Sequence, residues 1–203
     1  MARIRSFIGV EIDDGVRAAA TTLQKEFAQT GAQVKWVEPQ NLHLTLAFLG
    51  DMPDRSLADL FAAVGRVAKP EPPFTMTVAG VGAFPTPRRP KIVWAGVAAG
   101  AEELARLHAN LEDPLIDLGL YRREDRGYTP HLTLGRVSGE ESGAMLSPLL
   151  PKLADWSGGT TAVAEIVIFG SELRRDGPVY TVLGRCPLKG KRKPASVPSP
   201  ASR

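Results

Sequence analysis

Apolar side chains alternate with polar or small ones from Ser6 to Ile12, putting Ile8, Val10 and Ile12 on one face and predicting a strand. From Asp13 the spacing lengthens. Val16, Leu23 and Phe27 recur at intervals of seven and four, which predicts a helix capped by Asp13 or Asp14 and closed near Gly31. Residues 34–37 read as a short strand before the turn at Glu38-Pro39, and NLHLTLAFLG (41–50) as the next. A helix over 53–68 turns Leu57, Leu60, Phe61 and Val64 inward, and a strand over 74–84 closes this half. After the turn-rich PTPRRP (85–90) the order begins again: strand 91–97, a mostly helical stretch 101–120, strand 128–137, a weaker helix within 140–153, and strands 162–170 and 178–188. Phe74 and Thr160 each open a strand at a similar distance beyond His43 and His131. The second half thus repeats the first, roughly 3–90 and 91–188, in a single bilobal α+β domain over 1–188. Two copies are too few for a solenoid, so two lobes related by an approximate two-fold axis are expected.

Composition narrows the classes. With 203 residues and 43% apolar content the chain can bury a real core. Its one cysteine, Cys186, excludes an internal disulfide framework and a cysteine-rich zinc site, and suits a reducing compartment. The apolar stretch after Arg3 and Arg5 is broken by Gly9, Glu11 and Asp13, too short for a signal or membrane segment, so a cytoplasmic protein without membrane contact is expected. The formal charge of +3 belongs to the end of the chain. Residues 189–203 hold five basic side chains and no acid, leaving 20 basic against 22 acidic over 1–188. That Pro/Ser-rich basic tail is expected to be disordered, a solubility segment rather than an RNA tether.

The candidate chemistry lies in two repeated words. His-Leu-Thr-Leu occurs at 43–46 and again at 131–134, in a chain with three histidines. In a strand, His43 shares a face with Thr45, and His131 with Thr133, while Leu42, Leu44, Leu46, Leu132 and Leu134 face the core. If the lobes face each other, two His/Thr pairs converge on one cleft. Such a pair suits attack of water on a strained phosphodiester, where one group takes a proton and another gives one near neutral pH. The threonines can donate to phosphate oxygens without titrating. A lone His-x-Thr more often marks a satisfied structural residue; duplication at matching positions is what favours catalysis. No third or fourth ligand at a recognisable spacing supports a zinc site, and His108 reads as a surface residue of a helix.

These residues resemble the 2H phosphoesterases, defined by two His-x-Thr/Ser motifs, and within them the RNA 2′,3′-cyclic phosphodiesterase, or 2′-5′ RNA ligase (LigT-like), family. RSFIGVEI, VKWVEPQNLHLTLAFLG, FPTPRRPKIVWAGV, YTPHLTLGRV and SELRRDGPVYTVLGRCPL look like family segments in family order, over roughly residues 3–188. The resemblance implies a bilobal α+β fold with antiparallel sheets lining a central cleft and helices outside, no metal, no cofactor, and hydrolysis of a terminal 2′,3′-cyclic phosphate to a 2′-phosphomonoester. It assigns His43 as proton donor to the departing 3′ oxygen and His131 as proton acceptor from water. It also implies 2′-5′ ligation, driven by ring strain without ATP. The partners would be RNA with 2′,3′-cyclic phosphate ends or small cyclic nucleotides, bound by a monomer.

Phe48 and Arg136 both lie five positions past their histidines, and the resemblance makes them the two sides of a base sandwich. Strict alternation instead puts them on the leucine face, unless the strand ends, twists or bulges after the motif. Arg88 and Arg89, in the turn between the halves, are candidates for the RNA backbone; Tyr128 and Ser171 could border the cleft. Trp36, Trp94 and Trp156 read as core. Two rival readings remain: a non-catalytic module that binds RNA ends, and a 2H enzyme for another cyclic phosphoester.

Overall fold

The computed structural model describes residues 2–123, 127–175 and 177–191. The tail expected to be disordered lies, from residue 192 on, outside the described residues. In chain order the elements are β1 (Arg3–Val10), α1 (Asp14–Ala28), β2 (Val34–Trp36), β3 (Leu44–Pro53), α2 (Leu57–Ala68), β4 (Phe74–Thr86), β5 (Arg89–Val97), α3 (Ala101–Asp117), β6 (His131–Val137), α4 (Gly139–Leu146), β7 (Ser157–Val163), β8 (Glu165–Arg174) and β9 (Gly177–Pro187). Most of them follow the hydrophobic spacing directly. Val16, Leu23 and Phe27 are the buried stripe of α1, and Leu60 and Val64 that of α2.

Among the described residues the strands form one curled antiparallel sheet in the order β7-β4-β5-β6-β3-β1-β8-β9, with β2 added on β6. Its middle is its weakest seam. β3 and β6 meet at one paired position, Leu44 opposite Leu132, so the sheet divides into two halves about that point. The expected leucine face is present: Leu42, Leu44, Leu46, Leu132 and Leu134 are all buried in the main core. Burying each of them stabilises the fold by about 1.5–3 kcal/mol, which fixes the motif's other face toward the cleft.

The halves of the sheet are not the halves of the sequence. The repeat predicts that β4 closes the first lobe, but β4 pairs with β5 across the PTPRRP turn, making that turn a hairpin tip rather than a link between lobes. A short connection between two strands pairs them with each other, and this outweighs the sequence repeat. The expected strand over 162–170 also divides. β7 ends at Val163 and pairs with β4 in one half, whereas β8 starts at Glu165 and pairs with β1 and β9 in the other. Each half therefore contains strands from both halves of the chain. No helix among the described residues is long and apolar enough to cross a membrane.

Candidate active site

The two motifs are joined at the seam. Leu44 pairs with Leu132, and each of these leucines is flanked by its own motif's histidine and threonine, which fall on the face opposite the buried leucines. All four side chains then share one face, because residues two apart point the same way. His43 and His131 each precede the paired leucine, so across the antiparallel seam they are diagonal neighbours, about 7–8 Å apart, a span that one phosphate between the imidazoles can bridge. The rings also sense each other, since His131 contributes to lowering the pKa of His43.

Both rings are oriented from behind. His43 Nδ1 donates to the Asn41 carbonyl at 2.7 Å, and His131 Nδ1 donates to the Thr129 carbonyl at 2.7 Å. A carbonyl can only accept, so each ring carries its proton on Nδ1 and leaves Nε2 for chemistry. His43 Nε2 lies 3.0 Å from Thr45 Oγ1, and the hydroxyl donates while the ring is neutral. Asn41 is itself anchored, its side-chain amide donating to the Pro178 carbonyl at 2.8 Å. Arg17 donates to the carbonyls of Pro39 and Ile12 and holds the turn that leads into His43.

Aromatic rings, missed in the sequence, back each histidine. Phe7 stacks on His43 with centroids 4.6 Å apart, and Tyr180 meets His43 edge-on at 5.3 Å. Phe84 meets His131 edge-on at 5.0 Å, and Trp94 lies 6.1 Å from the same ring. Trp94 is therefore not core as expected. Its indole lies over Gly82, where an added Cβ would fall 2.3 Å from the ring, so only glycine leaves it room. The alternation that points Ile8 and Val10 inward could have revealed Phe7, an aromatic on the opposite face of the same strand. This packing strips water from the rings. Burial holds His43 at about 4, against a smaller upward push from its hydrogen bond to Asn41 and a further lowering by His131. Burial also lowers His131, partly offset by its bond to Thr129.

A cleft of about 700 Å³ opens over this face, with His43, Thr45, Thr133, Phe48, Arg136 and Ser171 among its walls; His131 is not one of the wall residues and lies beside them, against Phe84 and Trp94. The conflict over Phe48 and Arg136 is resolved by bulges. β1 pairs Gly9 with Thr45 and Ile8 with Ala47, which leaves Leu46 as an extra residue in β3. β5 pairs Trp94 with Thr133 and Val93 with Gly135, which leaves Leu134 as an extra residue in β6. Each bulge falls three residues after its histidine and reverses the alternation, so Phe48 and Arg136 return to the cleft side.

The remaining candidates are placed differently. Arg88 and Arg89 are exposed at the β4–β5 hairpin tip, outside the cleft walls. Tyr128 turns inward, its hydroxyl donating to the Thr45 carbonyl at 2.9 Å, and burial pushes its pKa up. It braces the strand instead of lining the cleft. His108 is not a surface residue either. It stacks on Tyr128 at 4.2 Å and its Nδ1 donates to the Leu46 carbonyl at 2.8 Å. Three cations not singled out as a group, Arg5, Lys35 and Arg136, line the cleft without an ion pair among the described residues. Lys35 and Arg136 stand directly opposite each other across β2 and β6. No three His, Cys, Asp or Glu side chains among the described residues are grouped so as to hold a metal ion.

A curled α+β sheet that brings two His-x-Thr motifs to one seam is the architecture of the 2H phosphoesterases. The model of the LigT-like phosphoesterase family matches the chain twice, over residues 10–94 and 96–180, and the chain belongs to that family. It is 36% identical over 179 residues to the RNA 2′,3′-cyclic phosphodiesterase of Methanothermobacter thermautotrophicus, covering 88% of this chain and 96% of that one. Among solved structures, TT0787 of Thermus thermophilus superposes with a TM-score of 0.77 at 31% identity, over 93% of this chain and all of the other (100%). E. coli LigT complexed with 3′-AMP superposes with a TM-score of 0.76 at 26% identity, over 92% and 99%.

Proposed function

We propose that the protein hydrolyses RNA 2′,3′-cyclic phosphate ends to 2′-phosphomonoesters by acid–base catalysis between His43 and His131, without a metal. The observation that carries this reading is the Leu44–Leu132 pairing at the seam, which brings the two His-x-Thr motifs side by side. His131 Nε2 takes a proton from water as the oxygen bonds to phosphorus; the bond to O3′ breaks, and His43 Nε2 protonates the departing oxygen. Both nitrogens are the ones their Nδ1 hydrogen bonds leave available. Thr45 and Thr133 donate hydroxyl protons to the non-bridging oxygens, where negative charge builds up. With a 5′-hydroxyl in place of water, the same displacement forms a 2′-5′ linkage.

The cleft supports a nucleic-acid substrate. Like charges directly opposite on neighbouring strands repel, so Lys35 and Arg136 are most stable with an anion between them. Tyr180 lies close enough to Arg5 and Arg136 for both to lower its pKa against the rise from burial, so these charges border the catalytic end. Backbone phosphates of an oligonucleotide satisfy this arrangement. Phe48, 63% exposed, and Arg136 offer the faces of a base sandwich. The name of the Methanothermobacter relative and the 3′-AMP held by E. coli LigT agree with this reading.

The test is the fate of an oligonucleotide ending in a 2′,3′-cyclic phosphate, incubated in EDTA without nucleoside triphosphate and followed by mass spectrometry with positional analysis of the product. The expected product is heavier by one water and carries the phosphate on the 2′ oxygen. An RNA that is bound but recovered unchanged identifies an end-binding module. Conversion only of a different cyclic phosphoester identifies another 2H activity.

A further inference from the structure

The bulges at Leu46 and Leu134 decide which way Phe48 and Arg136 point, and each is held by a side chain from the far side of the sheet. His108 Nδ1 of α3 donates to the Leu46 carbonyl at 2.8 Å. Gln24 Nε2 of α1 donates to the Leu134 carbonyl at 2.9 Å and to that of Val37 at 2.8 Å. The two donors differ in chemistry and agree in place: each comes from a helix and takes the carbonyl of the extra residue, three positions past a catalytic histidine. Both are withdrawn from solvent, Gln24 at 6% exposure and the His108 side chain at 16%. His108 is further fixed by its stack on Tyr128, and its Nε2 lies 3.8 Å from Glu112 Oε1. Neither side chain faces the cleft, and the proposed chemistry uses neither.

We propose that His108 and Gln24 are positioning residues that lock the two bulges and thereby aim Phe48 and Arg136 at the substrate's base. They govern base-dependent binding, while the histidine pair acts on the phosphate. This rests on the reading of Phe48 and Arg136 as the base sandwich. A bulge leaves one residue outside the ladder: the Leu134 carbonyl also accepts the Val37 N–H at 2.9 Å, so Gln24 adds a second donor there, while the buried Leu46 carbonyl takes His108 as its side-chain donor. Without that donor the strand gains by returning to regular pairing, and a slip of one residue turns Phe48 to the opposite face. The pairing of Gly9 with Thr45 lies before the bulge, so His43 and Thr45 keep their places.

The experiment compares kcat and KM for adenosine 2′,3′-cyclic phosphate and for its base-less analogue, methyl riboside 2′,3′-cyclic phosphate. Wild-type protein is expected to favour the adenosine substrate about tenfold in KM, the scale of one base–aromatic stack. His108→Leu is expected to abolish that preference and leave kcat, and the kinetics of the base-less analogue, unchanged. His108→Gln, which gives this bulge the donor type the other one uses, restores the preference. If His108→Leu does not fold in a thermal melt, His108→Asn, too short to reach Leu46, carries the same expectation. Equal losses on both substrates, no loss, failure of the glutamine to rescue, or a wild type without base preference would each overturn the proposal. A wild type that hydrolyses neither substrate refutes the hydrolytic reading instead. In that event, calorimetric binding of 2′-AMP against methyl riboside 2′-phosphate makes the same comparison between variants.

Discussion

Replacing either His43 or His131 with alanine is expected to lower kcat by about two to four decades, the usual contribution of a positioned general acid or base. KM should change little, because the threonines, Phe48 and the cleft cations still hold the substrate. The double variant should be little worse than the weaker single one, since an acid and a base that act in one displacement fail together. Single-turnover rates on a cyclic-phosphate oligonucleotide check this directly. Full activity in His43→Ala/His131→Ala would remove the site from the chemistry altogether.

The pH dependence should show how the site is built. In the free protein, burial against Phe7 and its neighbours holds His43 at about 4, and His131 is lowered for the same reason. The active form has one ring protonated and the other neutral, so kcat/KM, which reports the free protein, should be bell-shaped with its optimum below pH 6.5. On its alkaline limb it should fall about tenfold per pH unit. A bound phosphodiester is an anion beside both rings. It favours the charged imidazole and raises both pKa values, which shifts the kcat optimum to higher pH than that of kcat/KM. The two rings are coupled, so each limb describes the pair and not one histidine. A kcat/KM optimum above pH 7, or identical profiles for the two parameters, would contradict this picture of the site.

Much of this is legible in the chain. The leucines of the two repeated words mark the buried face, and that alone turns His43, Thr45, His131 and Thr133 the other way. The spacing of Val16, Leu23 and Phe27 predicts α1 because amphipathic periodicity is local. What is not legible depends on partners distant in sequence. The bulges at Leu46 and Leu134 exist only in the register of β3 against β1 and of β6 against β5, and no local pattern distinguishes a bulged strand from a regular one. The same holds for β4, whose choice between two half-sheets is settled by the hairpin it makes with β5. His108 reads as a surface residue because its neighbours Arg106 and Asn110 are polar; its true environment is a carbonyl on β3 and a tyrosine just before β6. Trp94 reads as core in the sequence because a large apolar ring on a strand usually packs inward. Its place over Gly82 and beside His131 is set by the register of β4 against β5, a partner distant in the pattern.

The most direct measurement is a crystal structure of the protein with 2′-AMP, the product expected from the adenosine substrate. Hydrolysis on one phosphorus between two imidazoles predicts that His43 Nε2 and His131 Nε2 both lie about 3 Å from oxygens of the same phosphate group, on opposite sides of it. A phosphate held by one histidine alone, with the other ring out of reach, would contradict it.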